Sequence, residues 1–290
     1  MRCLELHRHA YLHTNMNMRK PAAKIITSFA LAALALSMLL PFLWMLSTSL
    51  MTDLEVYQYP PKLLPNTPRW ENYREAMQYQ PFGRYFFNSA LLTFGAVAGQ
   101  LLFCSLAAYA FSRLRFKWRD RIFALYLATM MVPAIVTLIP SFLLVNAFGW
   151  MNSFAGLIAP SLSSVWGIFL LRQFFLTIPR ELEEAARLDG ASEWMIYARV
   201  ILPLSKPALA TLAIFAFMAT WRDFLWPMLV TSRTEMRTVE IGLAAFSSQY
   251  SVDWTHQMAA AVIAMLPIAL VFFFAQRYFI RGITMTGIKG

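Results

Sequence analysis

The sequence predicts an all-α membrane protein with six transmembrane helices, and three observations lead to this prediction. Of its 290 residues, 59% are hydrophobic and only 14% are charged, whereas a soluble domain carries about 25% charged residues. Several apolar runs reach the ~20 residues that a helix needs to cross a bilayer. The polar segments between these runs alternate between strongly basic and weakly charged, as expected for a chain that crosses a membrane repeatedly.

The apolar runs define a transmembrane domain over residues 25–280. Within it we place six spans, which are residues 25–48, 86–111, 122–147, 154–175, 207–231 and 258–280. A leader of residues 1–24 precedes the first span, and we expect it to be disordered in part. Residues 176–206 form a long polar segment between the fourth and fifth spans, and residues 281–290 form a short tail.

Lys and Arg residues are concentrated in alternate connecting segments. Residues 1–24 and residues 112–121 each contain five of them, and others lie in segment 176–206 and in the tail. The positive-inside rule therefore predicts a multi-pass protein of the bacterial cytoplasmic (inner) membrane, with both termini and segment 176–206 in the cytoplasm. The net charge of +10 is thus explained by membrane lipids as partners, and we expect no nucleic acid partner.

The sequence contains none of the common motifs of nucleotide binding or catalysis. Patterns of phosphate-binding loops, dinucleotide-binding folds, zinc proteases and CxxC redox sites are all missing. The two cysteines, Cys3 and Cys104, cannot form a disulfide framework, and Cys104 lies in an apolar span as a small hydrophobic residue. We therefore expect no catalytic residue, no metal site and no cofactor in this chain, and no ATP hydrolysis by this chain alone.

One ionisable pair falls inside a predicted span, in the sequence WRDFLWP. Charge within a membrane is costly, so Arg222 and Asp223 are candidates for a functional role. They lie beside Trp221 towards the outer end of the fifth span, where aromatic side chains anchor helices at the membrane interface. Two interpretations have equal weight. Either these residues anchor the helix end by snorkelling, or they line a pathway or an inter-subunit contact.

Segment 176–206 is predicted to form two short helices joined by a turn. Pro179 suits the first turn of a helix. Three acids follow where they complement the helix dipole, and these are Glu181, Glu183 and Glu184. A glycine cap at Gly190 ends this helix after about 16 Å, and Ser192 is the N-cap of the second helix. From these residues alone, a solvated loop that happens to be helical is the simpler interpretation.

A longer pattern in the same segment resembles a known signature. The stretch EAARLDG is followed after nine residues by VILP, which is similar to the EAA signature of ABC importer permeases. The matching positions are Glu184, Ala185, Ala186, Gly190, Val200, Leu202 and Pro203, with Val200 in place of the usual Ile. The stretches LRQFFLTIPRELEEAARLDGAS, WRDFLWP and FIRGITMTGIKG are similar to the carbohydrate (maltose-type) branch of these permeases, specifically to its smaller, six-span member. That branch more often has Asn or another uncharged polar residue where Arg222 stands.

The resemblance implies a permease subunit that forms half of a translocation pathway, in a heterodimer with a second, related permease subunit. It also implies two ATP-binding cassette subunits, which bind ATP and Mg, and an extracytoplasmic solute-binding protein. The EAA helix would be the coupling helix that docks on an ATPase, with Glu181, Arg187 and Asp189 flanking the signature. The implied function is ATP-driven import of a sugar, either an oligosaccharide or a disaccharide, by alternating access.

Two other functions remain open. One is the same type of importer for a polyol or a glycerol phosphodiester, since such systems share these motifs. The other, more remote, is a secondary carrier that works without ATP. The EAA stretch argues against the carrier, and so does the lack of a buried ion site, because a single ionisable pair is little for ion-driven transport.

Overall fold

The described part of the chain is almost entirely helical. A computed structural model describes residues 21–247 and 251–287, with side chains for residues 25–247 and 251–276. In these residues the β-type pairing consists of an isolated bridge between Ser247 and Val252, so the prediction of an all-α fold is confirmed. Residues 1–20 of the leader and residues 288–290 of the tail lie outside the described residues.

The helices, in chain order, are α1 Pro21–Thr48, α2 Asp53–Val56, α3 Glu71–Tyr79, α4 Phe82–Ser112, α5 Arg119–Ala128, α6 Ala134–Ala147, α7 Phe154–Ile158, α8 Val165–Thr177, α9 Glu181–Leu188, α10 Glu193–Ile196, α11 Leu202–Leu204, α12 Lys206–Trp221, α13 Leu225–Val230, α14 Val239–Ala244 and α15 Trp254–Gly287. Short 3₁₀ turns occupy Thr129–Met131, Ala159–Ser161 and Thr234–Met236, and a π-helical turn occupies Tyr197–Ile201.

Three segments are long and apolar enough to cross a membrane as single helices, and these are Ile25–Thr48, Phe82–Ser112 and Trp254–Gln276. Three further candidates are bent pairs of helices. The pairs are Arg119–Met131 with Ala134–Ala147, bent by 100°, Phe154–Ser161 with Val165–Thr177, bent by 44°, and Glu193–Leu204 with Lys206–Trp221, bent by 77°. The described residues thus hold three candidate spans, or up to six if each bent pair is one span.

Prolines account for two interruptions of the predicted spans, one between α5 and α6 and one between α12 and α13. Pro133 holds Val132 in an extended conformation (φ −79°, ψ 118°), as a proline does to the residue before it. The predicted span 122–147 is therefore divided before α6. In the predicted span 207–231, α12 ends at Trp221 and α13 begins at Leu225. A continuous helix there would bring the Pro227 ring against the carbonyl of residue 223.

Helix α4 lies at the centre of the packing and extends without a break over 31 residues. Helices α8 and α12 pack against its second half, where Cys104, Leu171 and Leu212 are fully buried. Its first half packs against α14 and shares a second hydrophobic core with α14 and α15, in which Tyr85 and Val239 are fully buried. The same continuous helix therefore belongs to two hydrophobic cores.

Helix α1 has the opposite environment, although it is also long and apolar. Every side chain from residue 25 to residue 44 is exposed, including that of Phe29 at 76%. Burial begins only at Ser47, near the helix end. An apolar surface of this extent is typical of contact with lipid or with another protein subunit.

Candidate functional site

The stretch that carries the EAA pattern folds as predicted at its two caps. We call residues 179–205 the EAA segment. Helix α9 begins at Glu181 and has eight residues, so its length is about 12 Å and the predicted 16 Å is wrong. It ends in a Schellman arrangement, in which Ala191 N donates to Ala186 O at 2.9 Å and Gly190 N donates to Arg187 O at 3.0 Å. Gly190 has φ +82°, which confirms the glycine cap.

The second half of the EAA segment is also capped locally. The Ser192 hydroxyl accepts a hydrogen bond from Met195 N at 3.3 Å, which confirms the N-cap of α10. A π-helical turn follows, in which Leu202 N donates to Tyr197 O. Pro203 lies in the first turn of α11, and the helix direction changes at Ser205 before α12. Leu202 is half-buried, and Pro203 is exposed.

Helix α9 has two different faces. Its outer face consists of four exposed residues at helical spacing i, i+3, i+4 and i+7, and these are Glu181, Glu184, Ala185 and Leu188. Leu188 is 90% exposed, so this face combines two carboxylates with an uncovered apolar side chain. Arg187 and Asp189 are also exposed at the end of the helix. Much of the predicted EAA set therefore lies on one uncovered surface.

The inner face of α9 consists of Glu183, which is buried, and Ala186, which is half-buried. The Glu183 carboxylate lies 3.0 Å from Arg113 Nε, and both side chains are at most 4% exposed. Arg113 follows the last residue of α4, and its Nη2 also donates to the backbone carbonyls of Phe175 and Ile178 at the end of α8. One guanidinium thus connects α4, α8 and α9.

Burial lowers the pKa of the Arg113 guanidinium, while the Glu183 carboxylate acts in the opposite direction. A buried charge of this kind is stable only because it is paired and hydrogen-bonded. The Arg113–Glu183 pair is therefore a structural constraint on the position of α9, and its position depends on both partners being present.

Two further contacts connect the EAA segment to α4. Tyr109 donates a hydrogen bond to Glu193 Oε2 at 2.7 Å, and Arg187 Nε donates to Glu193 Oε1 at 3.0 Å. Hydrogen bonding to Glu193 raises the pKa of Arg187. The hydroxyls of Ser105 and Tyr197 share a hydrogen bond of 2.7 Å.

The three residues that hold the EAA segment are Ser105 and Tyr109 in α4 and Arg113 directly after it. They are four positions apart, so they share one helix face. We call Ser105, Tyr109 and Arg113 the α4 stripe. These three residues are not among the predicted site residues. Polar residues at this spacing near the end of an apolar helix were the available signal, but their partners in the EAA segment are separated from them by 70 residues or more in the chain, which no local pattern reveals.

The surface beside the inner face is a cleft of about 400 Å³ that contains both signs of charge. Its lining includes Arg113, Arg115 and Arg180 on the basic side and Glu183, Glu184 and Glu193 on the acidic side. A second cleft of about 660 Å³ lies next to it and is lined by residues 115–121, four of which are basic, and by Arg180. The EAA segment is therefore surrounded by a strongly charged surface.

The second predicted group, Trp221, Arg222 and Asp223, does not form one site. The Trp221 ring is 4% exposed, stacks on Phe217 and donates a hydrogen bond to Ala264 O at 3.1 Å. The prediction that Trp221 lines a pathway or an inter-subunit contact is therefore corrected, because α15 covers it. Arg222 and Asp223 follow the end of α12 and are not within a helix.

Asp223 is half-buried and accepts a hydrogen bond from Trp226 N at 3.3 Å. It lines a cavity of about 280 Å³ together with Gln100, Ser161 and Thr220. Arg222 is exposed. Of the predicted group, Asp223 is thus the residue that faces a cavity.

An all-helical chain with several membrane-spanning candidates and an exposed EAA helix defines the class of ABC permeases. Comparison with known proteins agrees with this. The chain belongs to the family of binding-protein-dependent transport system inner membrane components, whose model matches residues 100–285. It is therefore a transport component of the inner membrane with several membrane-spanning helices.

Individual relatives cover most of the chain. It is 35% identical over 239 residues to the sn-glycerol-3-phosphate transport system permease protein UgpE of Yersinia enterocolitica, covering 80% of this chain and 85% of that protein. It is 38% identical over 207 residues to the arabinooligosaccharides transport system permease protein AraQ of Bacillus subtilis, covering 71% and 74%. A crystal structure of a bacterial ABC transporter involved in the import of the acidic polysaccharide alginate contains a similar chain, with a TM-score of 0.79, 26% identity and coverage of 88% and 96%.

Proposed function

We propose that this permease imports a carbohydrate, either an oligosaccharide or a disaccharide, by alternating access as half of a heterodimeric translocation pathway. Two cytoplasmic ATPase subunits bind ATP and Mg, and an extracytoplasmic solute-binding protein delivers the solute. This chain itself binds no nucleotide. The single observation that carries the coupling part of the proposal is the outer face of α9, because an exposed Leu188 beside Glu184 and Ala185 suits a docking contact.

The proposal assigns the outer face and the helix cap to ATPase docking. Glu184 and Ala185 contact the ATPase, with Glu181, Arg187 and Asp189 at the margin of the contact. Gly190, Leu202 and Pro203 set the shape of the EAA segment rather than touch the partner, because the left-handed Gly190 ends α9 and Pro203 lies in α11. The half-buried Ala186 packs α9 against the rest of the chain.

Co-purification and transport measurements test this assignment. We expect the ATPase subunits to co-purify with the wild-type chain, and Glu184→Lys or Gly190→Asp to abolish solute uptake. The first change reverses a charge on the docking face, and the second places a side chain at a left-handed position. Glu71→Lys is the matched control, because Glu71 is exposed in α3, far from the EAA segment in the chain. Uptake that survives both changes, without ATPase co-purification, would support an ATP-independent carrier instead.

The orientation belongs to the same proposal. The basic leader and segment 112–121 support a topology with both termini and the EAA segment in the cytoplasm. Single cysteines placed in segment 112–121 and in segment 232–238 test this topology with a membrane-impermeant thiol reagent in intact cells. We expect labelling only in segment 232–238, and the reverse pattern would contradict the orientation.

The solute class has one specific alternative. The AraQ relative is named for arabinooligosaccharides, and the alginate transporter is described as importing a polysaccharide, which supports a carbohydrate. The UgpE relative is named for sn-glycerol-3-phosphate, which supports the alternative of a polyol or a glycerol phosphodiester. Calorimetric titration of the cognate solute-binding protein with an arabinooligosaccharide and with sn-glycerol-3-phosphate distinguishes them, and we expect binding of the saccharide.

A further inference from the structure

We propose that α4 transmits movement of the EAA helix α9 to the external segment 233–239, and that Arg113 is the positioning residue at the start of this route. The proposal rests on the proposed function, since it assumes that α9 docks on an ATPase. It adds which helix carries the movement and which side chains attach that helix at each end.

Helix α4 is continuous, whereas the chain on either side of α9 is not. The backbone connections of α9 to its neighbouring spans are interrupted on both sides. Towards α8, Ile178 is extended (φ −74°, ψ 129°). Towards α12, the chain passes through the left-handed Gly190, a π-helical turn and a bend of 77°. Helix α4 has no such interruption between Phe82 and Ser112, and its 31 residues extend over about 46 Å.

Helices α9 and α10 are both attached to one end of α4. The α4 stripe supplies a buried ion pair through Arg113 and hydrogen bonds through Tyr109 and Ser105. These contacts are on one helix face, and they engage three successive parts of the EAA segment at Glu183, Glu193 and Tyr197. A displacement of α9 without α4 would separate the buried charges of Arg113 and Glu183, which is costly.

A matching attachment lies towards the other end of α4, where its side chains bind segment 233–239. Asn88 is fully buried, and its amide donates to the carbonyls of Glu235 and Arg237, both at 2.8 Å. One turn earlier, Arg84 Nε donates to the same Glu235 carbonyl at 3.2 Å. The neighbouring Ser89 hydroxyl accepts from Val239 N at 3.0 Å.

Segment 233–239 therefore depends on α4 side chains for several of its backbone hydrogen bonds. Asn88 lies in α4 and Arg113 directly follows it. The two are 25 positions apart, which corresponds to about 38 Å along the helix axis. A rigid helix with polar attachments at both ends can couple the two segments without a change in its own structure. The competing route leads through α12, the break at residues 222–224 and α13.

The test measures how fast a cysteine in the external segment 233–239 reacts with maleimide while nucleotide is bound to the ATPase subunits. The assembled complex with its ATPase subunits carries an Arg233→Cys reporter, with Cys3→Ser to remove one native thiol. Arg233 is exposed, and the native Cys104 is fully buried. The rate of maleimide modification is compared without nucleotide and with ATP, Mg and vanadate. We expect the rate at the reporter to change by about fivefold or more, in the range of typical coupling between sites.

Arg113→Met is the decisive variant, and we expect it to abolish the nucleotide-dependent change at the reporter while ATPase subunits still co-purify. Arg115→Met is the matched control, because Arg115 is exposed two residues away and has no ion pair among the described residues. The control should keep the full change. If Arg113→Met prevents assembly, Arg113→Lys replaces it, and we expect a reduced change because an ammonium lacks the planar fork that serves three acceptors at once.

Asn88→Leu tests the other end of the same route. If α4 is the route, Asn88→Leu alone also removes the nucleotide-dependent change at the reporter, because both changes interrupt one pathway, and a full response in assembled Asn88→Leu complexes would contradict the proposal. An unchanged reporter response in assembled Arg113→Met or Arg113→Lys complexes would overturn the proposal in favour of the α12 route. The absence of any nucleotide effect in the wild-type background would overturn it as well. Failure of the proposed function is distinguishable, since the ATPase subunits would then not co-purify at all.

Discussion

The two faces of α9 are formed by the same short stretch of sequence, but their surroundings are opposite. The outer face, with Glu184, Ala185 and Leu188, is exposed and makes no contribution to the core of this chain. The inner face holds Glu183, whose carboxylate is buried against Arg113. The adjacent residues Glu183 and Glu184 thus differ completely in burial. Residues on the inner face and at the caps determine the position of the helix, whereas the outer face is free to bind a partner.

The largest effect on stability is expected from Glu183→Leu. This change leaves the Arg113 guanidinium buried without its counter-charge, at a cost on the order of 3–5 kcal/mol. Denaturant titration of the purified chain in detergent micelles measures it. The Arg113→Met/Glu183→Leu double variant should recover part of the loss, since it removes both charges. A loss below about 1 kcal/mol for Glu183→Leu would show that the pair does not hold α9.

A smaller effect is expected from Gly190→Ala at the end of α9. No atom lies within 4 Å of the position that a Cβ would occupy, so the φ of +82° is the source of the cost. Left-handed backbone at a residue with a Cβ costs roughly 1–2 kcal/mol. The same denaturant titration checks this. Gly149→Ala is the matched control outside the EAA segment, because Gly149 has φ +69° and equally open surroundings. Stability equal to that of the wild type would contradict the strained cap.

Ser192→Ala should cost about 1 kcal/mol, because it removes the N-cap hydrogen bond to Met195 N. Ser192→Asp should keep most of the stability, since a carboxylate also accepts from a helix N-terminus. Comparison of the two variants in the same titration separates the cap from a general sensitivity of this position. Equal losses in both would show that the hydroxyl does not act as a cap.

The smallest effect on stability is expected on the outer face. Leu188→Ser should change the free energy of unfolding by at most about 0.5 kcal/mol, as is usual for exposed positions, because Leu188 is 90% exposed. Its effect should appear instead as weaker ATPase association in co-purification from detergent. Normal association together with normal stability would exclude Leu188 from the docking contact and restrict that contact to Glu184 and Ala185 and the residues at its margin.

The local parts of the site could be predicted from the sequence, and the distant contacts could not. The cap at Gly190 and the N-cap at Ser192 depend on hydrogen bonds within a few residues. The residue types at these positions therefore predict both caps. The pairing of Arg113 with Glu183 joins positions 70 apart in the chain. Arg113 was counted only as one of several basic residues in a loop, and its burial could not be inferred from that pattern.

The group around Trp221 was predicted less well for a related reason. The apolar run from 207 to 231 indicated one span, but it did not show where helix α12 ends. Trp221 resembled an interfacial anchor because it adjoins Arg222. Its indole is instead buried and bonded to Ala264 in α15, a residue that is distant in the chain.

The all-α membrane class and the caps of the two EAA helices could be predicted from composition, from the length of apolar runs and from hydrogen bonds between near neighbours. The location of the EAA segment could be predicted from its resemblance to the EAA signature. The distant contacts of the folded chain show which face of α9 is exposed, which glutamate is buried, and that α4 holds both the EAA segment and segment 233–239. These features depend on which distant side chains come into contact. Burial then makes the electrostatic interaction of a charge such as that of Arg113 stronger than it is in water.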